Sequence, residues 1–207
     1  LPLRAAGAAP LCTGPLFPPG LLVAKRGGPP WTPYHPAGLW QETSGSADKQ
    51  DTGPGLYRRS LYTIWKRTSP PPAMMILDAA KRDVCVARRQ LTNTPLQALV
   101  LLNDPQFVEA ARVLSERILS PGGDTSLRLE RLFQIVLNRA PLEEETLWME
   151  QLLDDVRTRY SEDPEAATAL LGVGAQAPLP DLDSTEVAAW TLVAHTLMSL
   201  DEALTLR

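Results

Sequence analysis

Residues 57–108 read YRRSLYTIWKRTSPPPAMMILDAAKRDVCVARRQLTNTPLQALVLLNDPQFV and join apolar, basic and proline-rich pieces in one stretch. Its C-terminal part contains two helix-start signals, Thr94 before Pro95 and Asp104 before Pro105. A Thr or Asp side chain accepts hydrogen bonds from the free N–H groups of a first turn, and proline suits the first helical position. The stretch therefore predicts helices that begin at residues 95 and 105.

Four further helix starts follow, at Asp124 or Thr125, at Pro141, at Asp163–Pro164 and at Asp183, which has Glu186 three residues later. Apolar residues recur three and four positions apart in these segments, as on one face of a helix. The faces predicted to be buried are Phe107, Ala111, Leu114 and Ile118; Leu129, Leu132, Phe133 and Val136; Trp148, Leu152, Val156 and Tyr160; and Val187, Trp190, Ala194, Leu197 and Leu200. The sequence predicts a mainly α fold, a compact orthogonal bundle of about six short helices with an irregular Pro/Gly-rich N-terminal arm.

Prolines divide the chain, since 13 of the 20 lie in residues 1–72. We expect residues 1–19 to be irregular and disordered, residues 20–56 to form an extended arm on the core, and residues 57–207 to form the helical domain. The side chains predicted to dock the arm are Trp31, Tyr34, Leu39 and Trp40. Residues 56–67 fit either a short strand or a buried helical turn.

The charge is distributed unevenly along the chain. Apolar residues make up 44% and the net charge is −4, which argues against a nucleic-acid partner. Residues 1–91 contain 12 Lys and Arg against 5 Asp and Glu, whereas residues 92–207 contain 8 against 19. Either two surfaces of one protein attract each other, or the basic half faces an acidic partner, such as an acidic polysaccharide or another domain.

Common motifs of catalysis and cofactor binding are missing from the sequence. It contains no CxxCH, CxxC, Gly-x-Ser-x-Gly, Walker loop or HExxH. Of its two cysteines, Cys85 is expected to be a small buried side chain, and His35 and His195 lack ligand spacing. Since no run of about 18 apolar residues occurs, we predict no membrane-spanning segment. From the missing motifs we predict no metal, no cofactor and no catalytic residue.

Three segments resemble the planctomycete PSD domain of unknown function: residues 57–75, 85–111 and 189–204. Weaker similarity covers LFQIVLNRAPLEEET at 132–146 and the region 20–43, so the resemblance extends over residues 20–207. In that family the domain is the C-terminal part of large exported proteins that carry a cytochrome-c-like module upstream. The resemblance thus implies export to the periplasm or cell surface and contact with upstream domains. It implies no haem in this chain, because the attachment motif is missing.

Two groups of polar residues are candidates for a site. Asn93 and Gln97 are four residues apart and share a helix face, which suits either the binding of sugar hydroxyls or a buried capping network. Asp78 lies among bases and serves either a structural salt bridge or, with a second carboxylate, acid catalysis. The basic residues that would contact an acidic partner are Arg58, Arg59, Lys66, Arg67, Arg88 and Arg89.

We therefore expect a non-catalytic interaction or scaffold module of an exported multidomain protein, which contacts an acidic polysaccharide or a partner domain. One alternative is a polysaccharide-active hydrolase that uses Asp78 and the Thr92–Gln97 cluster. Another is a truncated fragment without an independent function, because the chain begins with Leu1 and its first 19 residues depart from the family pattern.

Overall fold

The computed structural model describes residues 4–5, 19–36, 38–40, 49–80, 85, 92 and 94–206. This part of the chain is mainly helical and compact, which confirms the predicted fold class. The helices are α1 (Pro72–Ile76), α2 (Pro95–Asn103), α3 (Pro105–Leu119), α4 (Thr125–Leu137), α5 (Glu143–Glu162), α6 (Pro164–Leu171), α7 (Ser184–Met198) and α8 (Asp201–Leu204). Two 3₁₀ helices, Gly53–Tyr57 and Ser60–Tyr62, precede them. A two-residue strand β1 (Arg4–Ala5) pairs antiparallel with β2 (Thr205–Leu206).

The predicted helix starts are confirmed by their capping hydrogen bonds. Thr94, Asp104, Asp124, Asp163 and Asp183 each accept a backbone N–H of the helix that follows. Helix α5 begins at Glu143, two residues after Pro141. Because capping is a local interaction, these starts can be recognised without knowledge of the packing.

Helix α3 lies at the centre of the fold and packs along α7, which also packs against α5 and α6. Eleven of its fifteen residues are buried, so α3 is covered on most of its circumference. Three of the buried side chains are ionisable: Glu109, Arg112 and Glu116. Charged groups removed from water need internal partners, so these side chains must be bonded within the protein.

Two of the predicted core residues are at the surface instead. Trp148 is 61% exposed, although the predicted stripe joins it to Tyr160 in steps of four residues. Each such step turns about 40° around the helix, so Trp148 lies about 120° away from Tyr160. Leu153, which lies on the same face as Tyr160, is fully buried. Leu200 is exposed because α7 ends at Met198.

The arm contacts the rest of the chain through aromatic residues. Trp31 and Trp40 are buried, and the Trp40 indole Nε1 donates to the Ser69 carbonyl at 2.9 Å. Single parallel bridges join Val23 to Arg58 and Trp31 to Thr63. Residues 56–67 therefore alternate 3₁₀ turns with single bridges, which combines parts of both predicted conformations. Of the predicted disordered segment 1–19, residues 1–3 and 6–18 lie outside the described ranges.

Candidate functional site

The Asp78–Gln97 clamp is a set of polar side chains that bond to one another. The Gln97 Nε2 group donates to the Ile76 carbonyl at 2.9 Å, to Thr92 Oγ1 at 3.0 Å and to Asp78 Oδ2 at 3.1 Å. Asp78 Oδ2 also accepts the backbone N–H and the hydroxyl of Thr92 at 2.7 and 2.8 Å. Gln97 completes a capping box with Thr94 at the start of α2. The structure thus brings Asp78, Thr92 and Gln97 together, with Asp78 Oδ2, Thr92 Oγ1 and Gln97 Nε2 bonded to one another.

Helix α2 departs from the pattern of an ordinary surface helix, because it buries Gln97 beside Leu101 and exposes three other leucines. The polar Gln97 is only 8% exposed, whereas Leu96, Leu99 and Leu102 are 53%, 55% and 48% exposed. A helix at a protein surface usually buries its apolar side and shows its polar side to water. Here the polar residue faces inward, because its hydrogen-bond partners lie there, and three leucines follow one another along the outside. We call Leu96, Leu99 and Leu102 the leucine stripe.

A pocket of about 580 Å³ opens beside the leucine stripe, between α1, α2 and the arm. Its apolar walls include Pro72, Ile76, Leu99 and Val100. The stripe and this pocket together form the leucine groove. Asp104 is the carboxylate among the described lining residues, and it caps α3 through the Gln106 N–H at 2.9 Å. Burial raises the pKa of Asp104, while the Gln106 bond opposes that shift.

The opposite side of α2 is fixed by a histidine that the sequence analysis left without a role. His195, buried on α7, lies with Nε2 2.7 Å from the Leu101 carbonyl. That carbonyl belongs to the last turn of α2, where helical C=O groups lack intrahelical partners. Burial lowers the pKa of His195, and the Leu101 contact opposes the shift. The neutral imidazole therefore donates to Leu101 and holds α2 with its leucines outward.

The basic residues predicted to bind an acidic partner occupy different environments. Arg58 is buried, and its guanidinium donates to the Gly27 and Pro29 carbonyls and stacks over the Tyr62 ring. Arg59 and Arg67 are exposed, and the Lys66 ammonium lies 5.0 Å from the centre of the Trp40 ring. Arg88, Arg89 and Asn93 lie outside the described residues. Arg58 therefore holds the arm, while Arg59, Lys66 and Arg67 are the described members of the set that remain at the surface.

The hydrolase alternative, which uses Asp78 and the Thr92–Gln97 cluster, would need an open cleft lined by Asp78, Cys85, Asn93 and Gln97. Gln97 is buried and Asp78 is half-buried with internal partners. Cys85 is exposed, so the prediction of a buried cysteine was wrong. Among the described residues, no three His, Cys, Asp or Glu side chains are grouped so that they could hold a metal ion.

The buried carboxylate of Glu109 is the feature that the sequence analysis missed. Its Oε1 accepts the Tyr57 hydroxyl at 2.8 Å and the N–H groups of Ala175 and Gln176 at 2.9 and 2.7 Å. Its Oε2 accepts the Tyr34 hydroxyl at 2.9 Å. Burial and the nearby carboxylate raise the pKa values of both tyrosines, so the hydroxyls remain donors. Glu109 thus ties the arm and the loop after α6 to α3.

The neighbouring charges continue this network on the same helix. The Arg112 guanidinium donates to Glu116 and, at 2.6 Å, to the Gln176 carbonyl. In the sequence, Glu109, Arg112 and Glu116 have the spacing of ion pairs on a solvated helix face. A sequence signal against that interpretation is that Val108, Ala110 and Val113, which lie outside the predicted buried face of this helix, are apolar as well.

The family comparison agrees with the resemblance of two of the three segments, residues 57–75 and 85–111. A sequence model of the PSD1 family, described as a protein of unknown function (DUF1553), matches residues 14–153. The chain belongs to the PSD1 family. The match includes the arm, the Asp78–Gln97 clamp and the leucine groove, whereas the segment 189–204 lies beyond it. A comparison with curated proteins and one with solved structures each found no match.

Membership of the PSD1 family defines no activity, because the family itself is described as one of unknown function. The function of the chain must be argued from its surfaces and pockets. Within the described ranges, every helix is either too short or too polar to traverse a lipid bilayer.

Proposed function

We propose that this chain is a non-catalytic interaction module that binds a partner protein in the leucine groove. The observation that carries the proposal is the orientation of helix α2, which exposes Leu96, Leu99 and Leu102 while it buries Gln97. Contiguous exposed apolar surface beside a pocket marks an interaction site on a protein surface. Aliphatic side chains of a partner helix match such a groove better than sugars do, because sugars need hydrogen-bonding groups.

The charges beside the groove indicate which partner segment fits. Lys66 lies over Trp40, whose ring stacks on His35 with ring centres 4.4 Å apart, and His35 lines the pocket. Lys49 is exposed and precedes the lining residue Gln50. A partner helix with leucine-like side chains on one face and carboxylates beside them would fill the groove and meet these ammonium groups.

The clamp supports a binding role over a catalytic one. Gln97 Nε2 bonds to Asp78, to Thr92 and to the Ile76 carbonyl, and Asp78 Oδ2 bonds to Gln97 and to Thr92. A group so occupied is poorly placed to transfer a proton to a substrate. In this proposal the clamp is a device that fixes the rotation of α2.

We also propose that the module works inside an exported multidomain protein, where the partner helix belongs to an upstream domain. The support is the resemblance to planctomycete PSD domains. Sequencing the gene upstream of residue 1 tests this context, because it would have to reveal an export signal and a further module in the same reading frame. An upstream stop codon followed by a start at residue 1 would refute the proposal of an exported multidomain protein.

The binding proposal can be tested with a designed helical peptide that carries leucines on one face and glutamates beside them. We expect saturable binding by fluorescence anisotropy, weakened about tenfold or more by Leu99→Gln combined with Leu102→Gln. Leu127→Gln is the matched control, because Leu127 is 41% exposed on α4. A peptide with lysines in place of the glutamates should bind more weakly.

A heparin titration over a salt series tests whether the chain binds an acidic polysaccharide instead of a partner helix. The partner-helix proposal would be overturned in favour of an acidic glycan by two results together. Heparin would bind to wild type but not to Arg59→Ala combined with Arg67→Ala, and peptide binding would not depend on the leucines. Peptide binding that is equal in wild type and in the double leucine variant would also refute it.

A further inference from the structure

A second pocket lies on the other half of the protein and shares no lining residue with the leucine groove. It has a volume of about 590 Å³ and is enclosed by the end of α6, the loop before α7 and the first turn of α7. Leu171, Pro178, Leu182 and Val187 supply apolar walls. This size is typical of small-ligand sites, which span about 300–1,000 Å³. We call this cavity the loop pocket.

The wall of the loop pocket carries a buried carboxylate. Glu116, on α3, is only 2% exposed and lines the pocket. Among the described residues, the hydrogen bond to its carboxylate comes from Arg112 alone and reaches Oε1. A carboxylate can accept about four hydrogen bonds, so Glu116 retains accepting capacity beside the pocket. The other ionisable residue among the described lining is also acidic, Asp183.

The charges behind Glu116 alternate along α3. Glu109 accepts the Gln176 N–H, Arg112 donates to the Gln176 carbonyl, and Arg112 also pairs with Glu116. Arg112 is thus held between the Gln176 carbonyl and Glu116, and Glu116 is the group of this series that lines the pocket. A buried charge is stabilised by a counter-ion that it can contact directly. A cation that enters the pocket would occupy the next position in the series.

The geometry points to a binding site for an organic cation in the loop pocket. The ligand class is an ammonium or guanidinium group on an apolar body, with Glu116 as the counter-ion and Leu171, Leu182 and Val187 around the hydrocarbon. Asp183 adds a second negative group at the pocket, although its Oδ1 is used to cap α7 through the Glu186 N–H. An anionic ligand is disfavoured, since both described ionisable groups of the lining are carboxyls.

The test uses the whole chain and n-hexylammonium as the probe, with n-hexanol and hexanoate as neutral and anionic controls. We expect hexylammonium to shift the amide NMR signals of the loop and of α6 saturably, and hexanol to bind at least about tenfold more weakly. Hexanoate should produce no saturable shift. Equal affinity for hexanol and hexylammonium would overturn the counter-ion role of Glu116.

Two variants separate the site from general destabilisation. Glu116→Gln removes the charge and should weaken hexylammonium binding about tenfold or more, while Glu165→Gln, an exposed residue on α6, should leave it unchanged. Because Glu116→Gln also affects the partner of buried Arg112, Thr168→Trp provides the independent variant. Thr168 is exposed and lines the pocket, so the indole should block entry without touching the Arg112–Glu116 pair. Wild-type affinity in Thr168→Trp would refute the site.

Discussion

Gly174→Ala should be among the most destabilising small substitutions in this protein. Gly174 has φ +101°, and a Cβ atom there would lie 2.4 Å from Glu109 Cδ and 2.7 Å from Glu109 Oε1. Glu109 cannot move away, because it is buried and holds four donors. The loop must therefore shift, and the N–H groups of Ala175 and Gln176 leave the carboxylate.

The magnitude follows from the interactions that the shift breaks. Hydrogen bonds to charged groups contribute about 1.5–3 kcal/mol each, and a non-glycine residue at positive φ costs about 1–2 kcal/mol. Water recovers part of the loss, so we expect Gly174→Ala to lower the free energy of unfolding by about 3–5 kcal/mol. Gly122→Ala is the matched control: Gly122 has φ +71° but nothing within 4 Å of its added Cβ, so only the strain of about 1 kcal/mol remains.

The assay is urea denaturation followed by circular dichroism, with both variants and wild type measured together. A lower midpoint at constant slope reports lost stability rather than a change in the unfolded ensemble. If Gly174→Ala and Gly122→Ala were equally stable to within about 0.5 kcal/mol, the close packing of the loop on Glu109 would be refuted.

Three further predictions use the same denaturation assay. Tyr57→Phe removes a hydroxyl from the buried Glu109 carboxylate and should cost about 1.5–3 kcal/mol; no loss would contradict that bond. Because burial lowers the pKa of His195 in the folded state, the unfolded chain binds its proton more readily, and stability should fall as the pH falls below about 6.5. His195→Gln should reduce this dependence of stability on pH, and an unchanged dependence would show that other groups cause it. Trp148→Ser should change the free energy of unfolding by less than about 0.5 kcal/mol, since Trp148 is exposed; a larger loss would show that Trp148 packs in the core.

Local signals in the sequence predicted the helices well, because caps depend on residues that are neighbours in the chain. Asp104 and Asp183, for example, bond to N–H groups two and three residues later. The rotation of a helix is harder to predict, as Trp148 illustrates, because a stripe of four-residue steps drifts off the buried face. Packing against the other helices decided that Leu153 and not Trp148 faces the core.

The Glu109 network could not be predicted for a different reason. Its donors lie at residues 34, 57, 175 and 176, so they are more than fifty positions away in the chain. An acidic residue three positions before Arg112 resembles an ordinary exposed ion pair. The Asp78–Gln97 clamp was partly predicted, because a capping network around Gln97 was one of the two interpretations of that cluster. The inward rotation of the whole helix was not predicted.

The energetics of α2 support the proposed binding of a partner helix. A fully buried leucine gains about 1.5–3 kcal/mol, so three leucines left about half exposed forgo roughly 2–5 kcal/mol. The anchors on the inner side, at Gln97 and at the Leu101 carbonyl, contribute a net of about 0.5–1.5 kcal/mol per hydrogen bond. These two quantities are of similar size, so the free chain gains little from this rotation of the helix. A partner that covers Leu96, Leu99 and Leu102 would recover the forgone burial and keep every inner hydrogen bond. In the bound state, both the outer and the inner side of α2 would then contribute favourable free energy.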